Sequence, residues 1–368
     1  MVEKVYRLLF LFPGPSYDIE EDFGGRLGLL SNNFTGTVIT YSPDGGREKF
    51  GRFQIISAKL SDRSSRLSKL YRLFKLIKRN ITSSDAVVTY DPLLTGLLGL
   101  YFSHKYKKKL IVEVNGLHHL KSTYADKNVV SGFFYRKLYT AIMRLVINRA
   151  DGVKLLFERQ LEGLDVDLKG KITVAYHDYV RLEKFKNLGE RKVILCAGFP
   201  VYLKGIDLLV AAFKRLSPRF PEWELHIVGW FEYPEILHEL IDGHNKIFVL
   251  PPVPHRLMPE IMGNCSIFAM PSRSEGMGRV FLEAARCHKA RIGSNTGGIP
   301  SVISDNVDGF LVRSEDIDDL VDKLYLLISS PEIRERFAHM AYMRSLSEFS
   351  EEKYLAKTRT FYYDVINQ

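Results

Sequence analysis

Short apolar runs alternate with helical stretches along this chain, and the series occurs twice. In the first half, Tyr6–Phe12, Thr37–Thr40, Gln54–Ser57, Ala86–Thr89 and Leu110–Val114 read as strands. The last two are nearly all apolar, as expected for parallel strands buried on both faces. Amphipathic or basic segments, for example Arg63–Arg79 and Phe133–Arg149, separate them. Such alternation implies a doubly wound α/β sheet.

The pattern restarts near residue 191. Lys192–Ala197, Glu224–Val228, Lys246–Leu250, Ile267–Met270 and Arg291–Gly293 are strand-like, with Asp207–Leu216, Glu235–Ile241 and Val280–Arg286 helical between them. The polar stretch His177–Arg191 lies between the two series and reads as the linker. At about 100–200 residues per domain, 368 residues suit two domains with a core each. The expected architecture is α/β, two Rossmann-like doubly wound domains facing across a cleft. Ligands in such sheets sit outside the C-terminal strand ends. Residues 351–363 read as a terminal helix.

Composition excludes several classes. With 46% apolar and 26% charged residues the chain is neither disordered nor fibrous. Cys196, Cys265 and Cys287 are odd in number and far apart, which fits a reducing cytosol rather than a disulfide framework. The most apolar stretch, Pro92–Phe102, is too short for the roughly 20 residues of a membrane-spanning helix. Val5–Phe12 reads as a buried first strand ending at Pro13-Gly14. It is a poor signal peptide, because the run is short, carries charge and lacks a small-residue cleavage site.

The net charge of +9 is unevenly placed. Residues 1–190 hold 31 Lys and Arg against 20 Asp and Glu, and residues 191–368 hold 21 against 23. Residues 51–150 alone hold 19 against 5. This asymmetry asks for a polyanionic partner at the N-terminal half: nucleic acid, an anionic membrane or a phosphorylated substrate.

The stretch richest in chemistry runs from Pro271 to Ala284, PSRSEGMGRVFLEA. An apolar strand ends at Pro271, a polar turn with Gly276 and Gly278 follows, and then an amphipathic helix begins. Glycines let a ligand approach the backbone closely. Free N–H groups at a helix start suit an anion such as a diphosphate. Glu275 precedes the helix and Glu283 lies within it, and carboxylates are good bidentate partners for vicinal hydroxyls. An anion site flanked by two carboxylates suits a nucleotide sugar.

This stretch resembles the E-x7-E motif of the retaining GT-B glycosyltransferases (glycosyl transferases group 1, family four), matching at Pro271, Ser272, Glu275, Gly276, Gly278, Glu283 and Ala284. Gly198, Lys204-Gly205 and Asp207-Leu208-Leu209 resemble the family's G-R-x-x-x-x-K-G-x-D-x-L. Gly297-Gly298-Ile299-Pro300 and Asp308-Gly309-Phe310-Leu311-Val312 resemble G-G-I-P-E and D-G-x-L-V. Gly24-Gly25 follow the first strand as the family's first-loop glycines do, and Ala150-Asp151-Gly152-Val153 is similar to A-D-x-V. The resemblance is strong over about residues 190–315 and weaker over 1–180.

The resemblance implies roles. Glu275 would contact hydroxyls of the transferred sugar and Glu283 the ribose hydroxyls. The backbone at Gly276, Met277, Gly278 and Arg279 would lie against sugar and phosphate, with Gly24, Gly25 and Gly198 also on the donor. Lys204 would neutralise the diphosphate leaving group, whose charge grows in the transition state. Domain 1–180 would bind acceptor, domain 190–345 the nucleotide sugar (a UDP- or GDP-type donor), and the helical 346–368 would cross back to the first domain.

Three positions depart from the family. Phe199 stands where an arginine usually joins the lysine on the diphosphate, an exchange that is not conservative. Arg279 or Arg273 are the available replacements. Ser301 replaces the glutamate after Gly-Gly-Ile-Pro. Asn115 takes the place of a histidine that would touch the transferred sugar, with His118 or His119 as stand-ins. His118 is as readily a surface loop residue, and for His119 the surface loop is the favoured reading.

Asp165-Val166-Asp167 is a lone D-x-D in a polar stretch and reads as a solvated loop. No cluster has zinc spacing, so no metal is expected. On Arg63–Arg79, Lys or Arg recurs at 63, 66, 69, 72, 75 and 78, beside a stripe of Leu67, Leu70, Tyr71, Phe74 and Ile77. That is equally an interfacial membrane helix and a surface helix covering the sheet. The Lys105 and Lys107–Lys109 run favours an anionic membrane surface.

The expected function is retaining, metal-independent transfer of a sugar to a lipid-linked or anionic saccharide acceptor, by a cytoplasmic protein peripheral to the inner face of the membrane. Two alternatives stay open. One is a sugar-nucleotide-binding partner subunit that no longer transfers, motivated by Phe199. The other is a nucleic-acid-binding protein, which the charge allows but for which no aromatic-basic or helix-turn-helix signature is present.

Overall fold

The structure is a computed structural model and describes residues 4–14, 23–60, 65–124, 127–231 and 234–368, without the side chains of Arg66, Leu67 and Lys69. Arg63 of the basic stripe lies outside the described residues. The chain forms two compact units. The first comprises Met1–Gly116, Lys137–Tyr179 and Glu351–Gln368, and the second Leu117–Arg136 and Val180–Ser350. Sequence alone assigned 117–136 to the N-terminal domain, whereas here they group with the second unit.

The first unit contains β1 (Tyr6–Leu11), α1 (Gly25–Leu30), β2 (Phe34–Ser42), β3 (Gly46–Phe50), β4 (Phe53–Lys59), α2 (Arg66–Asn80), β5 (Ala86–Thr89), α3 (Leu94–Tyr106) and β6 (Lys109–Glu113). Helix α4 (Val129–Ile147), which belongs to this unit from Lys137 onward, β7 (Gly152–Leu155) and β8 (Ile172–Ala175) follow. Its sheet order is β3-β4-β2-β1-β5-β6-β7-β8. Among the described strands of this sheet, only β3, an exposed edge strand, runs antiparallel.

Side chains alternate across a strand, so β1 feeds two cores. Leu9 and Leu11 join one face with Leu73 and Ile77 of α2, Phe102 of α3 and Met143 and Val146 of α4. Tyr6, Leu8 and Phe10 join the other with Leu27 and Leu30 of α1 and Phe361, Tyr362 and Val365 from the C-terminus. The short α1 cannot cover that face alone. The C-terminal residues therefore belong to the first unit for a packing reason.

The second unit continues with β9 (Val193–Ala197), α5 (Ile206–Leu216), β10 (Glu224–Val228), α6 (Pro234–Ile241), β11 (Ile247–Leu250), α7 (Met258–Gly263), β12 (Ile267–Met270), α8 (Arg279–Arg286) and β13 (Ala290–Ser294). Helix α9 (Ile299–Val302), β14 (Phe310–Val312), α10 (Ile317–Ser329) and α11 (Pro331–Glu348) complete it, before α12 (Glu351–Asn367) returns to the first. Its sheet is parallel throughout, ordered β11-β10-β9-β12-β13-β14. The order reverses between β9 and β12, and a doubly wound sheet opens its ligand crevice at that reversal.

The segment read as a linker is not solvated at its start. His177 and Asp178 are buried, and Asp178 receives Lys154 Nζ at 3.4 Å and the Tyr90 hydroxyl at 2.7 Å. Among the described residues, no helix is long and apolar enough to cross a membrane.

Candidate active site at the strand reversal of the second unit

Strand β9 ends at Ala197 and runs into the loop Gly198–Gly205; β12 ends at Met270 and runs into Pro271–Gly278. The two loops are joined through their backbones. Gly205 has φ +66, and a Cβ there would fall 2.0 Å from the Pro271 carbonyl oxygen. The Arg273 N–H donates to Leu203 O at 2.9 Å. With the loops held this way, Lys204 Nζ lies 2.5 Å from Glu275 Oε2 in a largely shielded ion pair. Gly198 underlies the lysine: a Cβ there would stand 3.3 Å from Lys204 Cγ.

The Gly-Gly-Ile-Pro segment sets the main chain of Glu275. Gly297 has φ +53 and its Cβ position lies 2.1 Å from the Glu275 carbonyl oxygen, to which Gly298 N–H donates at 3.0 Å. Gly278 caps α8 in the left-handed region, φ 76, which only glycine adopts without strain. Met277 is buried, Gly276 is half-buried, and Arg279 opens α8 from an exposed position. Glu283 is buried on α8, and its Oε1 meets His255 Nε2 at 3.2 Å. Sequence reasoning did not single out His255; it follows Pro251–Val253 with no motif to mark it.

Arg273 is not available as a replacement for the missing arginine. Its Nη1 and Nη2 bind Asp207 at 2.7 and 2.8 Å, its Nε binds Glu315 at 2.7 Å, and Nη1 also reaches Tyr202 O at 2.5 Å. The guanidinium is spent on holding α5 to the loop. Asp207 of the K-G-x-D motif has the same structural task. Phe199 points to solvent and sets its ring edge-on to Trp230.

The Asp308-Gly309 motif is structural too. Asp308 is buried between Arg291 at 2.8 Å and Arg344 at 3.1 Å. Ser301, at the glutamate's position, donates to the Gly298 carbonyl at 2.6 Å.

His118 belongs to a segment that packs on the Glu275 loop within the same unit. Thr123 Oγ1 lies 3.1 Å from Ser274 Oγ, and Leu117 lies beside Gly297. The Tyr124 hydroxyl donates to His118 O at 2.7 Å. Burial, then the neighbouring His119, holds the His118 imidazole below its usual pKa. Asn115 instead donates its amide to Tyr90 O at 2.8 Å in the first unit. Gly24 and Gly25 also lie in the first unit, as the N-cap and first residue of α1. Among the described residues no three His, Cys, Asp or Glu side chains gather as a metal-binding group, and Asp165 and Asp167 are solvent-exposed.

Residues 181–344 match the family model described as glycosyl transferases group 1. An uncharacterized glycosyltransferase of Methanocaldococcus jannaschii is 26% identical over 300 residues, covering 80% of each chain. The GDP-mannose-dependent alpha-(1-6)-phosphatidylinositol monomannoside mannosyltransferase of Mycolicibacterium smegmatis is 30% identical over 162 residues, 41% of this chain and 42% of that one. The chain thus spans about two fifths of that mannosyltransferase. The structure of sucrose-phosphate synthase from Thermosynechococcus elongatus superposes with a TM-score of 0.81 at 16% identity, covering 98% of this chain and 99% of that one. The sheet order, the paired loops and these likenesses agree: the chain has the GT-B fold, and its residues 181–344 match the glycosyl transferases group 1 model.

Proposed function

We propose that the protein is a retaining, metal-independent glycosyltransferase. It would move a sugar from a UDP- or GDP-type nucleotide sugar to a hydroxyl of a lipid-linked or anionic saccharide at the cytoplasmic membrane face. The observation that carries this reading is Lys204 on Glu275 at the strand reversal. A cation and a carboxylate held together without donor can separate onto its two ends. Lys204 then faces the diphosphate and Glu275 the sugar hydroxyls. The diphosphate also meets the N–H groups that begin α8. In the transfer, the bond from C1 to the phosphate oxygen breaks and the bond from C1 to the acceptor oxygen forms on the same face. The acceptor proton passes to the departing diphosphate. Lys204 stabilises the charge that develops there.

The anionic acceptor is supported by charge. In the first unit a groove of about 410 Å³ is lined by Arg47, Lys59, Arg72, Lys75 and Arg79 with no carboxylate. The phosphatidylinositol-linked acceptor in the name of the mycobacterial relative is of the same chemical kind.

A thermal-shift screen with UDP-, GDP- and ADP-sugars tests donor binding, since a ligand bound only by the folded state raises Tm. Transfer with the stabilising donor follows, in the presence of EDTA. Full transfer by Glu275→Ala would refute the site. Phe199 favours a second reading, a partner subunit that binds donor without turnover. Donor stabilisation with neither transfer nor donor hydrolysis supports that reading.

A further inference from the structure

A surface helix that covers a core normally turns its polar face to water. Helix α4 does the opposite along its first turns. Val129, Val130 and Phe134 are 86%, 67% and 67% exposed, and Phe133 and Leu138 are exposed with them. Val130, Phe134 and Leu138 follow one another at four-residue steps along one face, and the buried Met143 and Val146 turn the other way. From Lys127 to Arg149 the sequence holds five Lys and Arg and no Asp or Glu. Lys137 and Arg144 share the exposed face with the apolar residues. On α2, the helix marked by its three-residue basic step, Leu73 and Ile77 join the core, and the solvent face carries Arg72, Lys75, Lys78 and Arg79 with Leu70 and Tyr71, a smaller apolar patch than that of α4.

We infer that the first turns of α4 insert into an anionic lipid bilayer, with Val129, Val130, Phe133 and Phe134 at the acyl boundary. Its basic residues lie at the headgroups, and the cations of α2 add to the long-range attraction. The occupant follows from the composition of the patch. Apolar tips flanked by cations, with carboxylates absent along the whole helix, complement a negatively charged apolar medium. An exposed apolar cluster of this kind marks an interaction surface on a water-facing chain. The inference rests on the proposed lipid-borne acceptor for its use, whereas the binding itself requires no transfer.

The test is co-sedimentation of the full chain with phosphatidylcholine vesicles, with and without phosphatidylglycerol. The variants are Val130→Ser/Phe134→Ser on α4 and Arg72→Glu/Lys75→Glu on α2. Wild type should bind the phosphatidylglycerol vesicles and retain part of that binding in high salt. The α4 variant should lose about tenfold in affinity, keep only a salt-sensitive remainder, and melt as wild type does, because both residues are solvent-facing. The α2 variant should lose the salt-sensitive part. Equal binding by wild type and the α4 variant, or no binding by wild type, overturns the inference. So does a wild-type dimer in sedimentation velocity that the α4 substitutions dissolve. The donor thermal shift should be the same in the α4 variant. Vesicle binding without donor binding would sink the proposed function and leave this inference standing, and the reverse result would do the opposite.

Discussion

Lys204 donates to Glu275 Oε2 at 2.5 Å although 71 positions separate them in the chain. The contact is dictated by backbone, since Gly205 against the Pro271 carbonyl and Arg273 N–H on Leu203 O leave the two side chains one meeting point. If both act on one donor, their effects should not add. Lys204→Ala and Glu275→Ala should each lower transfer by about 100-fold or more, and the double variant should be little worse than the poorer single. Initial rates with the donor found by thermal shift decide this, and independent additive losses would separate the two roles.

Gly205→Ala should be among the more damaging small substitutions in the second unit. It combines a left-handed residue with a Cβ 2.0 Å from a carbonyl oxygen. Gly163→Ala supplies the comparison, because Gly163 has φ +77 but open space around its Cβ position. Gly163→Ala should cost about 1 kcal/mol and Gly205→Ala at least about 2 kcal/mol more. Thermal melts of the two variants give the difference, and similar melts would show that close approach is not the reason for glycine.

Arg273→Lys keeps the charge and loses the two-pronged grip on Asp207. A lysine cannot hold Asp207, Glu315 and the Tyr202 carbonyl at once. Stability should fall by about 1–3 kcal/mol, and donor affinity should fall with it as the loop loosens. Chemical denaturation and donor titration read the two effects. Weakened donor binding at unchanged stability would return Arg273 to the diphosphate.

In the first unit, Arg26 Nη2 binds Glu113 Oε1 at 2.6 Å, and the Tyr362 hydroxyl of α12 binds the same oxygen at 2.6 Å. All three side chains are buried. Arg26→Met strands a buried carboxylate and should cost about 3–5 kcal/mol, while Arg26→Met/Glu113→Leu should recover part of the loss. Amide exchange along α12 should accelerate in the single variant and less in the double. A single variant as stable as wild type would contradict the role of this pair.

Burial, only partly offset by the hydrogen bond of Nδ1 with Asp178 O, lowers the His177 imidazole to about 4; Lys154 and Lys357 add to the lowering. The folded state therefore keeps it neutral where an unfolded chain would protonate it near pH 6.5. The unfolded state binds more protons between those values, so stability is full above about pH 6.5 and falls as the pH drops toward 4. His177→Asn retains an N–H donor and should flatten that slope in urea denaturation between pH 7 and pH 5. An unchanged slope would place the titration elsewhere.

Two strands, β5 and β12, follow the bounds their apolar runs suggest, because strands buried on both faces leave an unbroken local record. Strand β3, with sequence GREKF, has no such record, since an exposed edge strand has little apolar surface to bury. Strand β7 carries Lys154 inward, and no local pattern announces that Asp178 lies ready to meet it. The site divides the same way. Gly205, Gly278 and Gly297 were legible because close backbone approach and positive φ restrict a position to one residue type.

The division of labour between Lys204 and Arg273 was not legible. The two cations differ only in what lies opposite, Glu275 for one and Asp207 for the other, and those partners come from elements far apart in the chain. The charge asymmetry met the same limit. Sequence periodicity pointed to α2, where Ile77 of the apolar stripe is buried and Phe74 half-buried while Leu70 and Tyr71 stay exposed; the larger exposed apolar cluster lies on α4. Local sequence determined the sheet-helix alternation, the glycine-bearing loops and the sign of the charge, since each depends on neighbours a few residues away. Tertiary structure alone decided which ion pairs form, which apolar faces remain in water, and which sheet face α12 covers in the first unit. Those outcomes depend on which distant surfaces come to share the same space.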